Sequence, residues 1–224
     1  MKRPFIIGVG GSCSNSGKTT IACSLLNFFK KGGSKQQGRE KNIQDAVDPA
    51  FTEACSQSDG FQKWGAVKYT KTELYASLVD DRASLSQKDK DTGRYIGAGA
   101  DEVLWVKSPP RELGEVLSVA MDRLSWLDGL IVEGNSVIEF LNPDIVIFIF
   151  GNKKTLWKTS IERLVGISDI IVYENESDLP EIAKTKRLFP GNMSGENEIR
   201  GFFSFISDLM HERKAERRND EKGC

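Results

Sequence analysis

The chain has 224 residues, 39% of them apolar and 28% charged, which suits one α/β domain with a substantial core and is short for two. Its 31 Lys and Arg against 32 Asp and Glu leave a net charge of -1, so there is no electrostatic reason to expect nucleic acid or an anionic membrane as a main partner. The four cysteines (Cys13, Cys23, Cys55, Cys224) form no CxxC pair and the chain holds a single histidine, which argues against a Cys/His metal site and for a reduced, cytoplasmic protein.

The first residues combine positive charge with apolar side chains. Glycines soon cut the apolar run and no small-residue cleavage site follows, so a retained segment is expected rather than a signal peptide. No stretch approaches the roughly 18 apolar residues of a membrane span. Residues 5–9 (Phe5-Ile6-Ile7-Gly8-Val9) read as a short buried strand, and 18–30 as a helix stopped by Gly32-Gly33. Residues 32–62 are polar and poor in aliphatics; a mobile insertion is expected there, with a short helix near 48–55. Strand character returns at 64–69, followed by a polar stretch to residue 100 and another strand at 102–106.

Leu113, Val116, Leu117, Ala120, Met121 and Leu124 fall on one face of a helix over 111–126. Two near-continuously apolar strands follow at 129–133 and 144–150, as expected where helices cover both faces of a sheet. A helix over 154–164, a last strand at 169–173 and a terminal helix over 199–218 complete the pattern. Strands alternating with helices predict a three-layer α/β/α sandwich on a mainly parallel sheet, with a phosphate loop after the first strand. One domain is expected over 1–190, with 191–224 as a C-terminal helix and charged tail.

The segment Ser12-Cys13-Ser14-Asn15-Ser16-Gly17-Lys18-Thr19-Thr20 carries the chemistry. It ends as the phosphate-loop pattern G-x-x-x-x-G-K-[ST] requires, but Ser12 stands where the first glycine belongs, with Gly10 and Gly11 just upstream. Small residues let successive N–H groups turn inward around a phosphate at the positive end of the helix that follows. Lys18 suits the β- and γ-phosphate oxygens, the Thr19 hydroxyl suits magnesium, and Thr20 the α-phosphate. A Gly/Ser turn that merely joins strand to helix is the alternative. Serine at position 12 is expected to alter the turn, because glycine reaches backbone angles that serine resists. Glu133 ends a buried strand at the edge of the sheet where ligands bind in such folds, a place for an acid that organises magnesium or orients water. The alternative is a charged strand end.

Four segments occur in order: Ser14-Asn15-Ser16-Gly17-Lys18-Thr19-Thr20; Ala66-Val67-Lys68; Lys90-Asp91-Thr92-Gly93-Arg94 leading to Ala98-Gly99-Ala100; and Val132-Glu133-Gly134. Together they resemble the molybdopterin-guanine dinucleotide biosynthesis protein B (MobB) family over about residues 5 to 150. The resemblance implies a weakly hydrolysing GTP-binding protein, usually dimeric, that assists cofactor biosynthesis with molybdopterin guanylyltransferase as partner. It implies that Lys18 and Thr19 hold phosphate and magnesium, that Glu133 acts near the metal, and that Asp91 and Arg94 approach the nucleotide or the partner. Asp91 and Arg94 read equally well as a surface i,i+3 ion pair. The chain departs from the family at Tyr69-Thr70-Lys71, where histidines are usual, and at Asn135-Ser136, where an aromatic and a lysine are usual. Base choice between GTP and ATP stays open; Gly151-Asn152-Lys153-Lys154 and Asn175 are the candidate base contacts. Three functions compete: an accessory nucleotidase, a small-molecule kinase or ATP-dependent ligase, and a non-hydrolysing nucleotide sensor.

Overall fold

A computed structural model describes residues 3–31, 62–87, 89–152 and 159–222. In chain order its strands are β1 (Phe5–Gly11), β2 (Trp64–Lys71), β3 (Ser77–Val79), β4 (Glu102–Ser108), β5 (Gly129–Glu133), β6 (Ile145–Phe150), β7 (Ile170–Tyr173) and β8 (Arg187–Pro190). The helices are α1 (Lys18–Lys31), α2 (Arg82–Leu85), α3 (Asp91–Gly97), α4 (Leu113–Arg123), α5 (Asn135–Leu141), α6 (Thr159–Ile167), α7 (Glu181–Lys184) and α8 (Glu196–Lys222). Among the described residues the strands form one eight-stranded sheet in the order β3-β4-β2-β5-β1-β6-β7-β8. All neighbours are parallel except β3, which pairs antiparallel with β4 at the edge. No described helix is long and apolar enough to cross a membrane.

Alternation along the strands builds the three expected layers. Phe5, Ile7 and Val9 of β1 face a core shared with α1, α3 and α8, where Leu25, Tyr95, Phe202 and Ile206 are buried. Ile6 faces the opposite side, which α4 covers with Leu113, Leu117 and Ala120. Further along that side, α5, α6 and α7 close over β6 and β7 through Ile138, Leu164 and Ala183. Phe28 of α1 stacks on Phe203 of α8 with ring centroids 4.4 Å apart, so the C-terminal helix lies against the helix that follows the loop.

The polar stretch before residue 100 holds β3, α2 and α3, and α5 begins directly after β5. These pieces, three to seven residues long, are too short for hydrophobic period to reveal them. The strand at 170–173 is not the last, because β8 pairs beyond it as the sheet's other edge. The insertion expected at 32–62 lies outside the described residues apart from Gln62, as does the short helix near 48–55. The helix expected over 154–164 is described from Thr159 to Ile167; residues 153–158 lie outside.

Candidate functional site

The topology puts β1 between β5 and β6, so the loop after β1 opens between two strand ends. Ser12 continues the sheet: its N–H donates to Ile149 O at 2.9 Å, and its hydroxyl accepts from Gly151 N–H at 3.2 Å. Positive φ among the described non-glycine residues falls at Asn15 (61°) and Asn142 (47°), and in the loop also at Gly17 (93°). The left-handed demand of the turn therefore falls on Asn15, which tolerates it, and on Gly17, which meets it without a Cβ. The altered turn expected from serine does not occur at position 12, because the backbone there is not left-handed. Ser12, Cys13, Gly17 and Lys18 are half-buried, Ser14, Asn15 and Thr20 exposed, and Ser16 and Thr19 buried.

Lys18 opens α1 and folds back over the loop, donating to Cys13 O at 2.6 Å and to the Ser16 hydroxyl at 3.2 Å. Burial first, then the neighbouring Lys68, holds the Lys18 ammonium below its usual range against the pull of Glu133. A lysine curled over its own loop is the arrangement that an arriving polyanion would unfold towards itself. The positive end of α1 lies at the same loop.

Glu133 is only 1% exposed. Its Oε2 accepts from the Thr19 hydroxyl at 2.8 Å and from the Tyr95 hydroxyl, and its Oε1 is paired with the Lys68 ammonium. Register explains the meeting: Val9, Glu133 and Lys68 are Cα partners at the ends of β1, β5 and β2, so Glu133 and Lys68 point to one face. Lys68 also reaches Asp91 Oδ2 at 2.7 Å, at the start of α3. Burial works against the charge of Lys68, but Glu133 and Asp91 outweigh it and hold the ammonium above its usual range. Burial likewise opposes ionisation of Asp91, yet Lys68, Thr19 and Arg94 hold that carboxyl below the usual carboxylate range. Tyr95 is pushed well above its ordinary value by burial and then by Glu133, which fixes it as a donor.

The structure thus gathers Lys18, Thr19, Asp91 and Glu133 around Lys68. Arg94 turns to Thr20, donating to its hydroxyl at 3.2 Å, while Asp91 turns to Lys68; Arg94 acts on Asp91 through its charge and not as a contact i,i+3 pair. Asn175 is tied to its own turn: it accepts from Ser177 N–H at 3.3 Å and donates to Asp178 at 3.2 Å. Of Gly151-Asn152-Lys153-Lys154, Gly151 meets Ser12 and the two lysines lie outside the described residues.

The sequence assigns no role to three contributors. Lys68, in the second-strand segment of the resemblance, sits half-buried between the buried Val67 and Tyr69 of β2. Tyr95 lies four residues after Asp91, on the same helix face. Asn135 brackets Gly11, its Oδ1 accepting from Gly11 N–H at 3.0 Å and its Nδ2 donating to Gly11 O at 3.1 Å, and nothing local announces that. Gly134, between Glu133 and Asn135, has φ 141° and donates its N–H to Val9 O at 3.2 Å; a Cβ there would lie 3.1 Å from the Tyr69 Cβ. Only glycine lets the chain leave β5 and enter α5 this tightly.

Among the described residues no group of three or more His, Cys, Asp or Glu is placed to hold a metal ion. Thr19, Glu133 and Asp91 instead form a small set of hard oxygens, which fits magnesium bound through one or two carboxylates together with substrate phosphates.

No protein-family model matches the chain, and no curated protein does. Among solved structures it is similar to a LAO/AO transport system kinase (TM-score 0.44, 14% identity, 99% of this chain and 68% of that one). It is also similar to a ParA family ATPase from Chlorobium tepidum TLS (TM-score 0.38, 11% identity, 89% of this chain and 88% of that one). At those identities neither similarity extends to the chemistry of the site.

Proposed function

We propose that the chain binds a purine nucleoside triphosphate with magnesium and hydrolyses it slowly. The observation that carries this reading is the buried Thr19–Glu133 contact at 2.8 Å, made directly beside a loop over which Lys18 is folded. A turn that merely joined β1 to α1 would have no need of a fully buried carboxylate at the first helical hydroxyl.

In this reading the loop N–H groups and Lys18 take the β- and γ-phosphates, and Thr20 with Arg94 lies towards the α-phosphate. Thr19, Glu133 and Asp91 are the residues that would hold magnesium, whose contribution when bound is to neutralise charge on the phosphate oxygens. Hydrolysis adds water to the γ-phosphorus and breaks its bond to the bridging oxygen. Nucleoside diphosphate leaves, and the proton of the water ends on the released phosphate. Glu133 orients polar hydrogens at that end of the site, as it does those of Thr19 and Tyr95.

The finer reading follows the MobB resemblance: GTP in preference to ATP, in a cytoplasmic accessory protein of molybdopterin guanine dinucleotide biosynthesis. Its partner would be a guanylyltransferase, and a homodimer belongs to the same expectation. Titration calorimetry with non-hydrolysable GTP and ATP analogues, with and without magnesium, tests both levels. Binding that needs magnesium and disappears in Lys18→Ala supports the nucleotide site, and unchanged affinity in that variant overturns it. Preference for the GTP analogue supports the accessory role, whereas preference for the ATP analogue favours a kinase or ligase.

A further inference from the structure

Glu133 is a carboxylate with almost no access to water, and burying such a group is costly unless a cation is paired with it; Asp91, its side chain 38% exposed, shares that cation. Lys68 is that cation. Its ammonium bonds Glu133 and, at 2.7 Å, Asp91, and its side chain is 18% exposed, so it reaches the pair from inside β2. These are the same oxygens, with Thr19, that fit magnesium. The ammonium and the metal would compete for one set of ligands, and two cations in contact there would repel.

We infer that Lys68 is the resident cation of the nucleotide-free protein, holding Asp91 and Glu133 in position and excluding free divalent metal until nucleotide arrives. The inference rests on the nucleotide reading above and adds to it the reason that metal and nucleotide enter together. The lysine stem is long and flexible, so the ammonium can leave the carboxylates without moving β2. It leaves only if negative charge is available elsewhere, and the terminal phosphate of an incoming nucleotide supplies it. Free metal brings no such charge, and it would have to displace a cation from its two partners for the sake of three protein oxygens.

The test is manganese binding to the full-length protein, followed by electron paramagnetic resonance, without nucleotide and then with a non-hydrolysable analogue. Wild type is expected to hold manganese at least tenfold more tightly with the analogue than without it. Lys68→Met is expected to bind manganese without nucleotide at least tenfold more tightly than wild type. Less than a threefold difference between Lys68→Met and wild type overturns the inference, as does wild-type manganese affinity that is the same with and without an analogue that the protein binds. Should Lys68→Met fail to fold, Lys68→Gln, which can still hydrogen-bond both carboxylates, takes its place under the same criteria. If wild type binds no nucleotide, the proposed function fails, while the manganese comparison between wild type and Lys68→Met still decides the role of Lys68.

Discussion

The pairing of Lys68 with Glu133 can be measured by a double-mutant cycle on nucleotide-free protein in a chelator. Glu133→Gln leaves a mostly buried ammonium with Asp91 as its one carboxylate partner. Breaking a buried pair by removing one member costs about 3–5 kcal/mol. Asp91 is retained and Lys68 touches solvent, so the expected loss is smaller, about 2–3 kcal/mol. Lys68→Met leaves Glu133 with two neutral donors, Thr19 and Tyr95, and with Lys18 as the remaining nearby positive charge, which makes no hydrogen bond to it. Its expected loss is about 3 kcal/mol, because Glu133 is the more deeply buried partner. Replacing both members removes the buried charge together with its partner, so the double variant should lose about as much as one single variant, about 2–3 kcal/mol less than the sum of the two. The assay is urea unfolding at neutral pH followed by circular dichroism, with equal m-values as the control that only stability has changed. Additivity within about 0.5 kcal/mol would refute the coupling and, with it, the placement of Lys68 as counter-ion.

In steady-state assays Glu133→Gln should lower turnover about a hundredfold or more while analogue affinity stays within about threefold; lost affinity with unchanged turnover would place Glu133 in binding alone. Gly134→Ala should destabilise the fold by about 2–4 kcal/mol, from left-handed backbone strain and contact with Tyr69, and thermal melts with a shift under about 3 °C would contradict this. Asp91 sits below its usual range, so its contribution to stability is present above the ordinary carboxylate value near about 4 and is lost as pH falls through that region and below it. The melting temperature of Asp91→Asn should therefore fall less than that of wild type between neutral pH and about pH 3, and parallel curves would argue against the Lys68–Asp91 pair.

The sequence by itself determined the layers of the sheet and the loop at its centre. A near-continuously apolar run such as Ile145–Phe150 suits a strand covered on both faces, and Gly17-Lys18-Thr19 marks a tight turn from strand to helix. Such signals are local: period, propensity and a turn that needs glycine are all written within a few residues. The tertiary structure alone decided what surrounds Glu133. Lys68, Asp91 and Tyr95 lie 65, 42 and 38 positions away from it in sequence; strand register sets Lys68 against Glu133, and α3 brings Tyr95 to Glu133 and Asp91 to Lys68. Asn135 and Ser12 make the same point at the loop, where their contacts with Gly11 and Gly151 depend on how β5 and β6 flank β1. A buried charge must find its partner in space, and chain order does not record which strands become neighbours.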